Sequence, residues 1–198
     1  FDLMVHSVEQ LDLLEARAGT AVISAWIKVD SGMNRLGFRA EHFAGAYARL
    51  RRIANVAPDP TLVTHLANAD DRRDTKTVTQ LQAFAAATAA LRGERSIANS
   101  AALLAWPDTR ADWVRPGLIL YGVSPFPSGT GADLGLRPAM TLQTEVIAVK
   151  DVREGETVGY GGAWRAARDS RMAVVAAGYG DGYPRSVESG TPLLINGR

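Results

Sequence analysis

The sequence predicts an α/β fold: a parallel sheet with helical crossovers, followed by a separate β-rich region. Three observations carry this. Over the first two-thirds, short runs of β-branched and aromatic residues alternate with stretches whose apolar residues recur every three or four positions. A Ser-, Pro-, Gly- and Thr-rich stretch at 124–135 then interrupts the alternation. Beyond it, only β-like runs between Gly-rich turns remain.

Taken in order, residues 21–29 (Ala-Val-Ile-Ser-Ala-Trp-Ile-Lys-Val) read as a strand. Residues 41–55 place Phe43, Tyr47, Leu50 and Ala54 on one helical face, with Arg49, Arg51 and Arg52 around it. Pro58 and Pro60 punctuate, and 61–66 (Thr-Leu-Val-Thr-His-Leu) form the next strand. From about 75 to 91, Val78, Leu81, Phe84, Ala87 and Leu91 make a second helical face, with Gly93 as its stop. A short strand follows at 95–98, a short helix opens at Ser100, and the apolar run 117–121 (Gly-Leu-Ile-Leu-Tyr) reads as a further strand. Past the linker, Met140–Lys150, Met172–Ala177 and Thr191–Ile195 are β-like with no convincing helix among them. The parallel sheet is open or barrel-shaped; the alternation alone does not choose.

Composition bounds the function. The 198 residues carry 22 Lys and Arg against 21 Asp and Glu, a formal net charge of +1. That balance gives no broad attraction to nucleic acid or to an anionic membrane. With no Cys, disulfides, redox pairs, thiolate zinc sites and a Cys nucleophile are all excluded. The three His (His6, His42, His65) are too widely spaced to suggest a metal cluster. No run of about 20 apolar residues marks a membrane span. The chain opens on Phe1 without a signal-peptide pattern and ends on Asn196-Gly197-Arg198, a hairpin signal that wants a following strand. Both ends are therefore expected to be internal to a longer chain.

Four polar clusters fall where strands end. They are Lys28-Val-Asp30-Ser-Gly-Met-Asn-Arg35-Leu-Gly37, Thr64-His65-Leu-Ala-Asn68-Ala-Asp70, Ala98-Asn99-Ser100, and Val114-Arg115-Pro116-Gly117. In parallel α/β folds the active site lies beyond the carboxyl ends of the strands. Any one cluster alone is an ordinary polar loop; four after successive strands point to a site. Asn99-Ser100 opens a helix, which suits either a bound phosphate or a simple N-cap. Arg35 is a fixed cation whose fork matches a carboxylate. Lys28 sits inside an apolar strand and needs a partner, or a modification that removes its charge. His65 is a core histidine or a ring stacked on a planar ligand, and Arg115 alone is ambiguous. In the β-rich region the glycines around Tyr160 and Tyr179 mark tight turns. Gly178-Tyr-Gly180 lacks the Gly-Lys-Ser/Thr of a P-loop.

Together these segments resemble the alanine racemases, a pyridoxal-phosphate-dependent family. The matching words are Lys28-Val-Asp-Ser-Gly-Met-Asn-Arg-Leu-Gly-Phe38, His65-Leu-Ala-Asn-Ala-Asp70, Asn99-Ser100, Val114-Arg-Pro-Gly-Leu-Ile-Leu-Tyr-Gly122, Gly155-Glu-Thr-Val-Gly-Tyr-Gly161 and Ala177-Gly-Tyr-Gly-Asp-Gly-Tyr183. They run in the family's order over almost the whole chain. The resemblance implies the C-terminal part of a (β/α)8 TIM barrel over 1–133, followed by a partial C-terminal β domain over 134–198. The stretch before the linker is about half of the roughly 250 residues a whole barrel needs. It also implies a cytoplasmic homodimer in which one chain's β domain reaches the partner's barrel mouth.

By position, Tyr160 matches the catalytic tyrosine, and Arg35 the arginine that contacts the substrate carboxylate. His65 matches the histidine packed on the pyridoxal 5'-phosphate ring, and Arg115 the donor to its pyridine nitrogen. Ser100, Gly117 and Leu118 match phosphate contacts, with Asn99 adjacent. Lys28 matches a lysine that is often carbamylated and orients Arg35. The implied reaction is interconversion of L-alanine and D-alanine by two bases on opposite faces, Tyr160 serving L-alanine. A phenol ionises near pH 10, so work near neutrality costs roughly 4 kcal/mol of tuning, which neighbouring arginines can supply.

The sequence departs from the family in three places. The family's cofactor-bearing lysine precedes these segments and is not in this chain, so the chain alone is expected to be inactive. The Met-x-x-Asp-like substrate segment and a phosphate-contacting Tyr follow them and are likewise not here. Many members carry a His where this chain has Ser96. The alternatives are a broad-specificity amino-acid racemase, a related decarboxylase, a non-catalytic pyridoxal-phosphate-binding barrel, or a purely structural protein.

Overall fold

The computed structural model describes residues 2–17 and 19–197. They form two compact units, Phe1–Met140 and Thr141–Arg198.

The first unit is built on an all-parallel sheet. Its strands are β1 (Leu3–Val5), β2 (Ala25–Asp30), β3 (Phe38–Arg39), β4 (Thr61–Val63) and β5 (Arg95–Ser96), ordered β1-β2-β4-β5 with β3 against β2. Trp26 pairs with Met4 on one side and Thr61 on the other, which fixes the register. Helices α1 (Val8–Ala16), α2 (Ala40–Leu50), α3 (Lys76–Thr88) and α4 (Ser100–Ala105) lie between the strands in sequence. Strands covered on both faces have no solvent side. Accordingly Ala25, Ile27, Lys28 and Val29 are all buried in β2. Full burial of Ile27, Leu62 or Phe43 is worth about 1.5–3 kcal/mol each.

Three expectations need correction here. In α2, Phe43, Tyr47 and Leu50 do face the core, but the helix ends at Leu50 and Ala54 is exposed; Ile53 and Val56 take over its inward role. In α3 the inward stripe is Thr77, Gln80, Phe84 and Thr88, while Val78 is exposed. Leu81, Ala87 and Leu91 only flank the core. The buried stripe is offset from the apolar one because Gln80 and Thr88 meet hydrogen-bond partners inside. The run 117–121 is not a strand: Leu118–Tyr121 is a turn of 3-10 helix, closed by left-handed Gly122 (φ 80°). The sheet instead continues through Trp113, which bridges Ser96 in parallel, and Arg115, whose N–H donates to Ala98 O at 2.9 Å. Pro116, lacking an N–H, follows the pairing directly. A four-residue apolar run carries too little periodicity to separate these outcomes.

The second unit is antiparallel. A long pair joins β6 (Val146–Val152) to β9 (Ser170–Val175), with a register shift between Val146 and Ala148. A short pair joins β7 (Thr157–Val158) to β8 (Trp164–Arg165). The expected β run at Thr191–Ile195 forms no strand among the described residues. Asn196 (φ 51°) and Gly197 (φ 78°) both lie at positive φ. Among the described residues no helix is long and apolar enough to cross a membrane.

Candidate active site

Two chain segments, at the carboxyl ends of β4 and β5, converge on Arg115. Its Nη2 donates to Thr64 O at 2.5 Å and Ile97 O at 3.3 Å, and its Nη1 to Ser96 Oγ at 2.5 Å. Ser96, fully buried, passes its own hydroxyl hydrogen to Trp113 O at 3.3 Å. Burial holds the Arg115 pKa below its ordinary value, yet a guanidinium stays charged in proteins. Its Nε–H meets no protein acceptor among the described residues. Arg115 thus has a donor to spare for a ligand.

His65 lies against it, with Nδ1 3.4 Å from Arg115 Nη2. Burial, and then the charges of Arg115, Lys28 and Arg35, push the imidazole down to about 4. The ring is neutral at pH 7. Arg115 cannot accept, so Nδ1 is the acceptor and the proton sits on Nε2. His65 is therefore a planar, uncharged ring beside a cation.

Lys28 is buried in β2 between Ile27 and Val29. Desolvation lowers its pKa first, Arg35 and Arg115 lower it further, and Asp30 alone opposes them. Arg35 is exposed on the loop after β2. That loop is shaped by Asp30, whose Oδ1 accepts from Gly32 N and Asn34 N at 3.0 Å each. Its exit requires Gly37 (φ 122°), where a Cβ would come within 2.7 Å of Asp30 N. Lys28, Arg35 and Arg115 make a cationic cluster that favours an anion.

Asn99 caps α4: its Oδ1 accepts from Ala102 N at 3.0 Å and its Nδ2 donates to Leu66 O at 3.0 Å. These two bonds use one of its two amide N–H groups. Ser100 Oγ accepts from Gly117 N at 2.7 Å, so its hydroxyl hydrogen is free to donate outward. This bond brings Ser100, Gly117 and the adjoining, half-exposed Leu118 together. Tyr160 belongs to the second unit, on the turn after β7, and is 96% exposed. Gly159, Gly161 and Gly162, all at positive φ, build that turn. Among the described residues no group of His, Asp and Glu is arranged to hold a metal ion.

Gln80 escaped the sequence reading, and Ser31 and Thr64 lay inside its polar clusters without a role of their own; all three are buried polar residues that tie the His65 segment in place. The one available signal was a glutamine between two members of an apolar stripe. Ser96 stood out only as a departure from a resemblance.

Comparison with known proteins bears on this geometry. The sequence models for the alanine racemase N-terminal and C-terminal domains match residues 1–125 and 139–198. The alanine racemase of Shewanella amazonensis is 50% identical over 197 residues, which is 100% of this chain and 54% of that protein. That of Aeromonas hydrophila is 50% identical over 194 residues, 98% and 54% respectively. The crystal structure of the biosynthetic alanine racemase from Pseudomonas aeruginosa superposes with a TM-score of 0.89 at 42% identity, covering 100% of this chain and 55% of that one. The enzyme from D-cycloserine-producing Streptomyces lavendulae gives 0.87 at 35% identity, with coverage of 100% and 55%. The chain spans about half the length of the curated relatives it matches.

Proposed function

The chain belongs to the alanine racemase family, and from that premise we propose that the whole protein interconverts L-alanine and D-alanine with pyridoxal 5'-phosphate. The parallel unit is then part of a (β/α)8 barrel, and the second unit part of the β domain. The observation that carries the reading is the Arg115 arrangement: a buried cation with a donor to spare, fixed on Thr64, Ser96 and Ile97 beside a neutral His65. The donor set fits a planar, phosphate-bearing anion. Arg115 suits a ring nitrogen acceptor, His65 a ring face, and the Ser100 hydroxyl a phosphate oxygen together with Gly117 and Leu118. Asn99 holds the start of α4 next to Ser100 and keeps a second amide N–H for the ligand.

Pyridoxal phosphate, when bound, supplies the electron sink that acidifies the substrate Cα–H. The residues of this chain do the rest. Arg115 can only donate, so with the cofactor bound it would pair with an unprotonated ring nitrogen, an arrangement that would favour proton return to Cα over transamination. Arg35 receives the substrate carboxylate. Tyr160 takes the proton from L-alanine, and the opposite base is the cofactor-bearing lysine of the family. Tyr160 buries almost none of its surface in this chain, and Leu142, Ile147 and Leu193 of its unit are also exposed. A partner subunit that covers them and receives Tyr160 at its barrel mouth accounts for both observations.

Lys28 fits a carbamate. Its depressed pKa makes the neutral amine available; the Nζ lone pair attacks the carbon of CO2, and loss of one proton leaves a carbamate anion among arginines. A buried repulsion becomes an attraction.

The test is reconstitution of the whole protein with pyridoxal phosphate and measurement of alanine racemisation by circular dichroism. Racemisation restricted to alanine supports the reading; cofactor binding with decarboxylation, or with no turnover, sinks it.

A further inference from the structure

Gln80 is 1% exposed and faces inward from α3, one turn past the start of the helix. Its single amide has three partners. Nε2 donates to His65 O at 3.0 Å and to Ser31 Oγ at 3.4 Å, while Oε1 accepts from Ala67 N at 2.8 Å. The His65 carbonyl and the Ala67 N–H bracket Leu66, so one side chain grips both ends of a three-residue turn. Ser31 extends the grip: its Oγ lies 2.7 Å from Thr64 Oγ1. The carbonyl of that same Thr64 accepts from Arg115. The chain of contacts therefore runs from α3 through the turn to both the ring-facing histidine and the guanidinium.

We infer that Gln80 is a positioning residue for the cofactor subsite, setting the place of His65 directly and of Arg115 through Thr64. This rests on the proposed function for the identity of the ligand, though not for the contacts themselves. The amide is suited to the task because it offers donors and an acceptor from one rigid plane. An apolar side chain of similar size leaves the half-buried His65 O and Ala67 N–H without their protein partners. The turn must then move until water reaches them. A shift of about 1 Å at the site, well within what such a move entails, is enough to cost a large factor in function.

The experiment compares Gln80→Leu with Thr88→Val in the whole protein. Thr88 is buried on the same helix and donates to Phe84 O, so its loss weakens α3 without touching the His65 turn. Two readouts are taken beside the melting temperature: the pyridoxal phosphate dissociation constant by fluorescence titration, and the His65 ring signals by NMR in cofactor-free protein. Gln80→Leu is expected to raise the dissociation constant at least tenfold and move the His65 midpoint up from about 4. Thr88→Val, at a comparable loss of melting temperature, is expected to change the constant less than twofold and leave the midpoint in place. If Gln80→Leu does not fold, Gln80→Asn, one methylene too short to span the turn, is expected to behave the same way. Equal effects of the two helix variants, or an unmoved His65 midpoint, overturn the inference. Failure of the wild-type protein to bind pyridoxal phosphate overturns the proposed function instead, and the NMR comparison still decides the role of Gln80.

Discussion

Lys28 and His65 show how a cationic site sets its own pH behaviour. The folded site holds His65 neutral down to about pH 4, whereas the unfolded chain takes up a proton as pH falls through about 6.5. The unfolded state then binds more protons than the folded one, so stability falls as pH drops from about 6.5 to 4 and levels off below. Carboxylates held low by hydrogen bonds, such as Glu15 beside Arg49 and Asp74 beside Lys76 N–H, lose their contribution only further into acid. Urea unfolding between pH 7 and 5 is therefore expected to lose its slope in His65→Gln; an unchanged slope contradicts this assignment. For Lys28, added bicarbonate is expected to raise the melting temperature and, in native mass spectrometry, to add one CO2, with a gain of at least about 1 kcal/mol. Lys28→Met should abolish both effects. For Arg115, substitution by Glu allows the ring nitrogen to be protonated, so keto-acid by-product per racemisation event should rise. An unchanged ratio would mean that the arginine only anchors. Little of these environments was legible in the sequence beyond the residue types. Lys28 read as a buried charge because its neighbours are apolar, and burial is the largest cause of its lowered pKa; Arg115, which lowers it further, comes from another segment.

At the scale of elements, local pattern and tertiary demand part company in instructive places. β2, β4, α2 and the start of α4 follow from branched runs, helical spacing and an Asn-Ser cap, and each is found within a few residues of where the pattern puts it. Two of the three failures in the first unit involve polar groups. The buried stripe of α3 includes Gln80 because the His65 turn needs an amide there, and hydropathy treats that position as an error. The run Leu118–Tyr121 has strand-like composition, yet Pro116 and Gly117 turn the chain, and the sheet takes Trp113 in its place. The Arg35 loop was legible as a polar cluster, but its shape depends on Asp30 and on three backbone positions at positive φ, Gly32 (φ 132°), Asn34 (φ 58°) and Gly37 (φ 122°). Gly37→Ala should destabilise the protein by about 2 kcal/mol, because both its φ and the approach to Asp30 N resist a side chain. Denaturant titration measures this; a loss under about 0.5 kcal/mol would show that the loop relaxes freely.

For the whole molecule, the two units were visible in the sequence as a change of composition, and the structure divides the chain between Met140 and Thr141. What the local sequence does not express is that Tyr160 stands out in water, 96% exposed on its glycine-built turn. The account assigns Tyr160 one task, removal of the L-alanine Cα proton. The most direct test is the Tyr160→Phe variant of the whole protein, loaded with pyridoxal phosphate and placed in deuterated water with each alanine enantiomer separately. The account predicts that Cα–H exchange from L-alanine slows by about 10²–10⁴-fold. Exchange from D-alanine, with retention, persists, and cofactor absorbance stays as in the wild type. Equal slowing for both enantiomers, or loss of the bound cofactor, would contradict it.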